Sequence, residues 1–171
     1  IDLIISLGGG SVIDTAKILS VILNEENKIK NISDFNNVIF NKSIPLYSIP
    51  TTAGSGAELT PFATVWDYDL NKKYSFQNQL LLPKLALYDY KLLKSLQYTV
   101  SVSSGLDTIS HAFESIWNKY ADPLSTSFST QSLSLSIKAI RGYVSDDKPD
   151  LSLKNMQLAS LLAALAIGRT K

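Results

Sequence analysis

Asp107 and His111 are the two side chains of this sequence whose spacing best suits joint binding of a metal ion. They stand four positions apart in a segment with helical periodicity, so both side chains project from one face of the predicted helix. A carboxylate and an imidazole together suit Fe²⁺, Zn²⁺ or Mn²⁺. His111 is the only histidine of the chain, and two ligands do not complete a metal site. A hydrogen bond between Asp107 and His111 at a helix surface is the alternative interpretation.

A glycine-rich turn is the second feature that could carry chemistry. The segment Gly8-Gly9-Gly10-Ser11 lies between a β-rich run at residues 3–7 and a helical pattern. Backbone N–H groups and the positive end of a helix dipole meet at such a junction, which favours a phosphate or pyrophosphate, and any Cβ there would hold the anion away. We expect Ser11 to cap the helix together with Asp14. The segment is not a P-loop, since no Gly-Lys-Ser/Thr follows, and a plain turn is the alternative.

A second small-residue loop follows another predicted strand. Thr51 and Thr52 end that strand, and the segment AGSGAELT occupies residues 53–60. In a parallel sheet both loops would lie at the carboxyl ends of strands, where ligands collect, which favours a phosphate site there. Glu58 in this loop is expected to be a solvated surface group, as most single glutamates are.

Strands dominate the first half of the pattern, and helices dominate the second. The apolar run at residues 3–7 predicts a strand buried on both faces, as in a parallel sheet. Further strands are predicted at 45–52 and 85–88, a hairpin at 62–66 and 73–77, and helices at 105–120, 123–143 and 151–167. The composition changes near residue 92, which predicts a partial α/β domain at 1–92 and a partial helical domain at 93–171.

The middle helix has an ambiguous pattern. Residues 132–137 alternate between serine and an aliphatic residue, which by period alone is typical of a strand. We predict a helix because Leu133, Ile137 and Ile140 lie on one helical face and two clearer helical patterns flank the segment.

Charge and composition narrow the class of partner. Sixteen basic and fifteen acidic residues give a net charge of +1, and the basic residues are scattered, unlike those of proteins that bind nucleic acids or membrane surfaces. The absence of cysteine removes disulfides and thiolate metal sites, and it fits a cytoplasmic setting. The longest apolar run, residues 161–167, is shorter than the roughly 20 residues that cross a bilayer. We therefore expect a small-molecule partner, with no nucleic acid and no membrane.

Three segments together resemble the iron-containing (group III) alcohol dehydrogenase family. They are IISLGGGSVIDTAK at residues 4–17, IPTTAGSGAELTPFATVWD at 49–67 and GLDTISHAFES at 105–115. The resemblance implies the C-terminal part of an α/β Rossmann-like dinucleotide-binding domain followed by the N-terminal part of an all-helical domain, in a dehydroquinate synthase-like architecture. It also implies a fragment from the middle of a longer protein, inactive by itself, and it leaves a homodimer open.

The resemblance further implies a set of site residues. Those expected at the pyrophosphate and nicotinamide side of NAD or NADP are Gly9, Gly10, Ser11 and Asp14, those at neighbouring contacts are Thr51, Thr52 and Ser55, and Lys73 would reach the ribose. Asp107 and His111 match the first two metal ligands, and the family's two further histidine ligands would lie beyond Lys171. Fe²⁺ is the expected metal, with Zn²⁺ as the alternative.

Within the family, three segments are similar to a branch assigned as phosphonoacetaldehyde reductases, which form 2-hydroxyethylphosphonate. They are FATVWD at residues 62–67, SIWNKYADPLS at 115–125 and LAALAIGRTK at 162–171. A phosphonate dianion needs a compensating cation, so Arg169 is the candidate, with Lys171 assisting. Alternatively, Arg169 complements the dipole of its helix.

Other functions also stay open. They are a general small-alcohol dehydrogenase, a glycerol dehydrogenase-like enzyme, a relative of glycerol-1-phosphate dehydrogenase or dehydroquinate synthase, and a cofactor-binding remnant without turnover. The sequences TTAGSGAE and GLDTISHAFE favour the alcohol dehydrogenase branch.

Overall fold

The computed structural model of the chain describes residues 1–23, 32–143 and 149–170. Its elements are β1 (Ile4–Gly8), α1 (Gly10–Ile22), β2 (Leu46–Pro50), β3 (Phe62–Asp67), β4 (Lys72–Gln77), β5 (Leu85–Ala86), α2 (Tyr98–Ile116), α3 (Pro123–Tyr143) and α4 (Asp150–Thr170). Strands therefore precede the three long helices, as the sequence predicts.

A parallel sheet of order β1-β2-β5 forms the first layer, and α1 packs on β1 and β2. The prediction that β1 is buried on both faces is wrong for the described residues: Ser6 is buried, but Ile5 is 61% and Leu7 is 58% exposed. The reason is position, since β1 lies at the sheet edge and no described element covers the face that carries Ile5 and Leu7.

The predicted hairpin is confirmed as the antiparallel pair β3 and β4, with Phe62 opposite Gln77. Its buried side chains, Ala63 and Phe76, join a core cluster with Val21 of α1 and Phe35. This packing places the hairpin against α1.

Helix α3 is confirmed with its predicted bounds, and its most deeply buried face is not the one that carries Leu133, Ile137 and Ile140. The side chains of Ser132, Ser136 and Ala139 are fully buried, whereas Ile137 is 49% exposed. Ser132 Oγ donates to the carbonyl of Ala159 in α4 at 2.7 Å, which shows how closely the two backbones approach. Only small side chains leave room for such an approach, so serine occupies a position at this contact where a leucine side chain would be too large.

Helix α4 is long and apolar enough to cross a membrane by length and composition alone. In the structure 56% of its most apolar window is buried inside the protein. Met156, Ala159, Ala163 and Ile167 are among its buried residues, and α4 contacts α2 and α3 along its length. This burial is typical of the core helix of a bundle.

The loop after β2 joins the α/β part to the helical part. Thr108 Oγ1 of α2 donates to the carbonyl of Ala53 at 3.0 Å in a buried hydrogen bond. Gly56 has a φ of 62°, and a Cβ on it would collide with Ala164 of α4. Glycine is therefore required at position 56 both by its left-handed backbone and by the adjacent helix.

Candidate active site

A cavity of about 610 Å³ lies where the α/β part meets the helical part. Its walls come from α1, the loop after β2, the β3–β4 hairpin, α2 and α4. The polar and charged residues that line it include Asp14, Ser55, Thr64, Lys73, Asp107 and His111. Five of these six were proposed from the sequence as cofactor or metal residues, and the fold brings them to one space.

The two small-residue loops meet beside this cavity. Because β1 and β2 are parallel and in register, their carboxyl ends lie together, and the Thr51 N–H donates to the Gly8 carbonyl at 3.0 Å. A Cβ on Gly9 would lie 3.2 Å from Thr52 Cγ2, and one on Gly10 would lie 2.6 Å from Ser55 Oγ. The absence of side chains at Gly9 and Gly10 is what allows the loops to touch.

The start of α1 differs from the predicted cap. The helix begins at Gly10 with Gly9 as its N-cap, and no side chain caps it, so the assignment of Ser11 and Asp14 as a capping pair is wrong. Asp14 is instead directed toward the hairpin, where it accepts the Thr64 N–H at 2.9 Å. The first N–H groups of α1 are thus left without a capping side chain, as at helix ends that receive an anion. Ser11 is exposed and lines a separate groove of about 680 Å³ along β1.

Asp107 and His111 lie one turn apart on α2, as predicted, and both line the cavity. His111 Nε2 is 3.7 Å from Asp107 Oδ1, which is longer than a hydrogen bond and close to the separation of about 3.4 Å expected for two donors on one ion. His111 Nδ1 is buried and has no hydrogen-bond partner among the described residues. The distance between Asp107 Oδ1 and His111 Nε2 is thus compatible with two ligands of one metal ion. No group of three or more metal-binding side chains occurs among the described residues.

Two residues that the sequence analysis missed lie next to Asp14. Lys17 is fully buried on α1, and its Nζ contacts Asp14 Oδ1 at 3.3 Å and the Phe62 carbonyl at 2.5 Å. Burial raises the pKa of Asp14 and lowers that of Lys17, and the attraction within the pair opposes both shifts. The only sequence signal was the spacing of three positions, which brings Asp14 and Lys17 to one side of the helix.

Glu58 is the second missed residue. It is 3% exposed, so the expectation of a solvated glutamate is wrong. Its Oε1 accepts a hydrogen bond from the Tyr88 hydroxyl at 3.0 Å, and it interacts electrostatically with Lys17. Burial raises the pKa of Glu58, and burial together with Glu58 raises that of Tyr88. The partner comes from the segment after β5, which no local pattern could have indicated.

Arg169 lies outside this arrangement. Its Nε and Nη2 donate to Asp122 Oδ2 at 3.2 and 2.6 Å, and this pairing lowers the pKa of Asp122 to about 2. Ile167 is the residue of α4 that lines the cavity, and a position two residues further along a helix projects to a different side. Among the described residues the cavity wall therefore carries Lys73 but not Arg169, and Lys171 lies outside the described residues.

Two known families match successive parts of the chain. Residues 1–90 match the family described as iron-containing alcohol dehydrogenase, and residues 101–171 match the C-terminal part of the Fe-containing alcohol dehydrogenase family.

Individual relatives cover nearly the whole chain but are much longer. Sulfoacetaldehyde reductase of Bilophila wadsworthia is 31% identical over 99% of this chain and 44% of its own length. Choline dehydrogenase of Bacillus subtilis is 29% identical over 96% of this chain and 42% of its own length. The chain thus spans less than half the length of these relatives.

Two solved structures share the fold. Sulfoacetaldehyde reductase from Bifidobacterium kashiwanohense, in complex with NAD+, superposes with a TM-score of 0.91 at 27% identity over 99% of this chain and 45% of that one. An iron-containing alcohol dehydrogenase from Thermotoga maritima gives a TM-score of 0.88 at 28% identity over 99% of this chain and 46% of that one. With its α/β part, its helical part and both family matches, the chain belongs to the iron-containing alcohol dehydrogenase family.

Proposed function

We propose that the whole protein is a metal-dependent oxidoreductase that transfers a hydride between NAD(P)H and a small aldehyde or alcohol. The observation that carries this proposal is the shared cavity: three residues assigned to the cofactor, Asp14, Ser55 and Lys73, line the same space as the pair assigned to the metal. The NAD+ complex of the related Bifidobacterium enzyme supports the cofactor class. The partial α/β domain at 1–92 would be the C-terminal part of a Rossmann-like dinucleotide-binding domain. The partial helical domain at 93–171 would complete a dehydroquinate synthase-like architecture.

The cofactor would lie across the two loops. Backbone N–H groups at Gly10 and Ser11 would receive the pyrophosphate at the uncapped end of α1, with Gly9 leaving room for it. Thr51, Thr52 and Ser55 would contact the cofactor from the second loop, and Lys73 would reach the ribose from β4. Asp14, at the cavity wall, would accept a hydrogen bond on the nicotinamide side.

Asp107 and His111 would hold a divalent metal, Fe²⁺ or Zn²⁺, at the opposite wall. When bound, such an ion supplies polarisation of the substrate oxygen, and the nicotinamide supplies or accepts the hydride. The residues of this chain place the two groups near each other: α2 holds the metal pair, while the Thr64 N–H on β3 holds Asp14.

For the substrate we propose a two-carbon aldehyde with a tetrahedral anionic group, specifically phosphonoacetaldehyde, and hence a place in phosphonate metabolism. Two relatives named as sulfoacetaldehyde reductases support an anionic aldehyde of this shape. Arg169 would have to leave Asp122 to reach the anion, so Lys73 is the nearer cation among the described residues. A general small-alcohol or glycerol dehydrogenase-like enzyme is the alternative. We also propose a cytoplasmic location and a homodimer.

The test is a steady-state assay of the whole protein with phosphonoacetaldehyde, sulfoacetaldehyde and propanal, alongside measurement of bound metal. His111→Ala should lose metal and reduce none of the three aldehydes, and Asp107→Asn should behave similarly, because each removes a metal ligand. Glu114→Gln, on the same helix but away from the cavity, is the matched control. Wild-type metal content and turnover in His111→Ala would refute the metal assignment.

The same assay tests the substrate. The anionic aldehydes should have the higher kcat/KM, and Arg169→Ala should lower it for them alone if Arg169 reaches the anion. Equal kcat/KM for all three aldehydes in the wild type would favour a general small-aldehyde reductase.

A further inference from the structure

Lys17 is a fully buried lysine that the proposed reaction does not use. Its ammonium group makes two contacts, with Asp14 Oδ1 at 3.3 Å and with the Phe62 carbonyl at 2.5 Å. A lysine is almost never fully buried unless it is paired, and an apolar residue of similar size is often as stable or more stable at such a place. Stability alone is therefore a weak reason for an ammonium group here.

Asp14 is held at both of its oxygens. Oδ1 contacts Lys17 on the same helix, and Oδ2 accepts the backbone N–H of Thr64 on β3 at 2.9 Å. The side chain is 16% exposed, and the exposed part faces the cavity. A carboxylate has about four acceptor positions, so two remain for a donor in the cavity.

Lys17 also connects α1 to the start of β3. Because the Phe62 carbonyl and the Thr64 N–H lie two residues apart on β3, one lysine and one aspartate link the helix to the strand at two points. Both Phe62 and Thr64 line the cavity, so the same contacts set the separation of two of its walls.

We propose that Lys17 is a positioning residue: its buried ammonium holds the Asp14 carboxylate in the orientation in which it accepts a hydrogen bond from the nicotinamide cofactor. Lys17 itself touches neither cofactor nor substrate. The inference rests on the proposed function for the role of Asp14 and goes beyond it by assigning a role to Lys17.

The competing explanation is that Lys17 only neutralises buried carboxylates. Glu58 is buried and Asp14 is partly buried near it, and either carboxylate would be costly without a counter-charge. In that case the losses of cofactor affinity caused by Lys17→Met and by Asp14→Asn would be independent and would add in the double variant. If Lys17 acts through Asp14, the losses would not add, so a double-mutant cycle separates the two roles.

The experiment uses the whole protein in four forms, the wild type, Lys17→Met, Asp14→Asn and the double variant, and titrates each with NADH and NADPH by fluorescence. Lys17→Met should raise the cofactor Kd by about tenfold to a hundredfold, the range for one hydrogen bond to a charged group. The double variant should bind no more weakly than Asp14→Asn, because Lys17 acts through Asp14. Lys17→Arg should recover part of the affinity, and Lys94→Met, which removes a surface ion pair with Asp150, should leave it unchanged.

Thermal unfolding of every variant identifies misfolding. If Lys17→Met does not fold, the comparison of Asp14→Asn with the double variant decides the question: equal Kd values support positioning, and a further loss in the double variant refutes it. Additive losses across the cycle, or wild-type affinity in Lys17→Met, also refute it. A wild type that binds neither NADH nor NADPH would refute the proposed function and this inference together. A wild type that binds the cofactor, with additive losses in the variants, would refute this inference alone.

Discussion

Gly10 is the residue at which the glycine-rich turn and the second loop approach each other most closely. A Cβ there would lie 2.9 Å from Ser55 Cβ, closer than such atoms normally come. Because α1 begins at Gly10 and Ser55 lines the cavity, this one position determines where the helix end and the loop lie relative to each other. A substitution of Gly10 by alanine changes this contact without adding a charge.

Gly10→Ala in the whole protein should raise the KM for the nicotinamide cofactor by about tenfold or more, since the methyl group displaces Ser55 and obstructs the uncapped end of α1. Steady-state kinetics at saturating aldehyde would measure the change. Gly168→Ala is the control, because the nearest atom that its methyl group would meet is the Leu59 carbonyl oxygen at 4.0 Å. If Gly10→Ala keeps the wild-type KM, Gly10 has no part in cofactor binding.

Among the secondary-structure elements, α3 and α4 share the most extensive contact, and the buried face of α3 carries serine hydroxyl groups. Ser125, Ser129, Ser132 and Ser136 are fully buried at helical spacing along α3. Ser132 donates to α4, whereas Ser129 Oγ has no hydrogen-bond partner among the described residues. Two buried serines of one helix are thus expected to have opposite effects on stability.

Ser132→Ala should lower the free energy of unfolding by about 1 kcal/mol, the net value of one hydrogen bond. Ser129→Ala should leave it unchanged or raise it, because the substitution removes a buried hydroxyl without a partner. Urea denaturation of the two variants provides the comparison. A larger loss for Ser129→Ala than for Ser132→Ala would show that the hydroxyl of Ser129 has a partner that the structure does not reveal.

At the scale of the whole molecule, the loop at residues 53–57 contacts both the proposed cofactor site and the helix that carries the proposed metal ligands. Thr108 lies between Asp107 and His111 on α2, and its hydroxyl binds the Ala53 carbonyl of this loop. Ser55, two residues further on, faces the cavity. The position of the metal pair is thereby tied to the position of the cofactor loop.

Thr108→Val keeps the shape of the side chain and removes its buried donor. We expect the free energy of unfolding to fall by about 1–3 kcal/mol, the cost of an unpaired buried carbonyl, and the affinity for metal to weaken as α2 shifts. Urea denaturation and metal content after dialysis would measure the two effects. Thr130→Val, which removes an exposed hydroxyl bonded within its own helix, should change neither. Unaltered unfolding and metal content in Thr108→Val would argue against a coupling between loop and helix.

Local patterns predicted the type and order of the elements and the positions of the two loops, because glycine spacing, hairpin length and helical period are properties of neighbouring residues. They failed where the deciding partner is distant in sequence. Lys17 is buried because the carbonyl of Phe62 lies beside it, and Glu58 because Tyr88 does. The buried face of α3 depends on how closely α4 approaches, which the sequence of α3 does not contain. The site residues named from the family resemblance still await the experiments above.

The position of strand β1 also affects how the isolated chain should behave in solution. It lies at the edge of the three-stranded sheet, and the apolar side chains of Ile5 and Leu7 are exposed along it. An open edge of this kind is a template on which a strand from another molecule can pair, which leads to aggregation. Preparations of these 171 residues alone should therefore be prone to self-association through β1, and lysine at position 5 or 7 is the substitution that would oppose it.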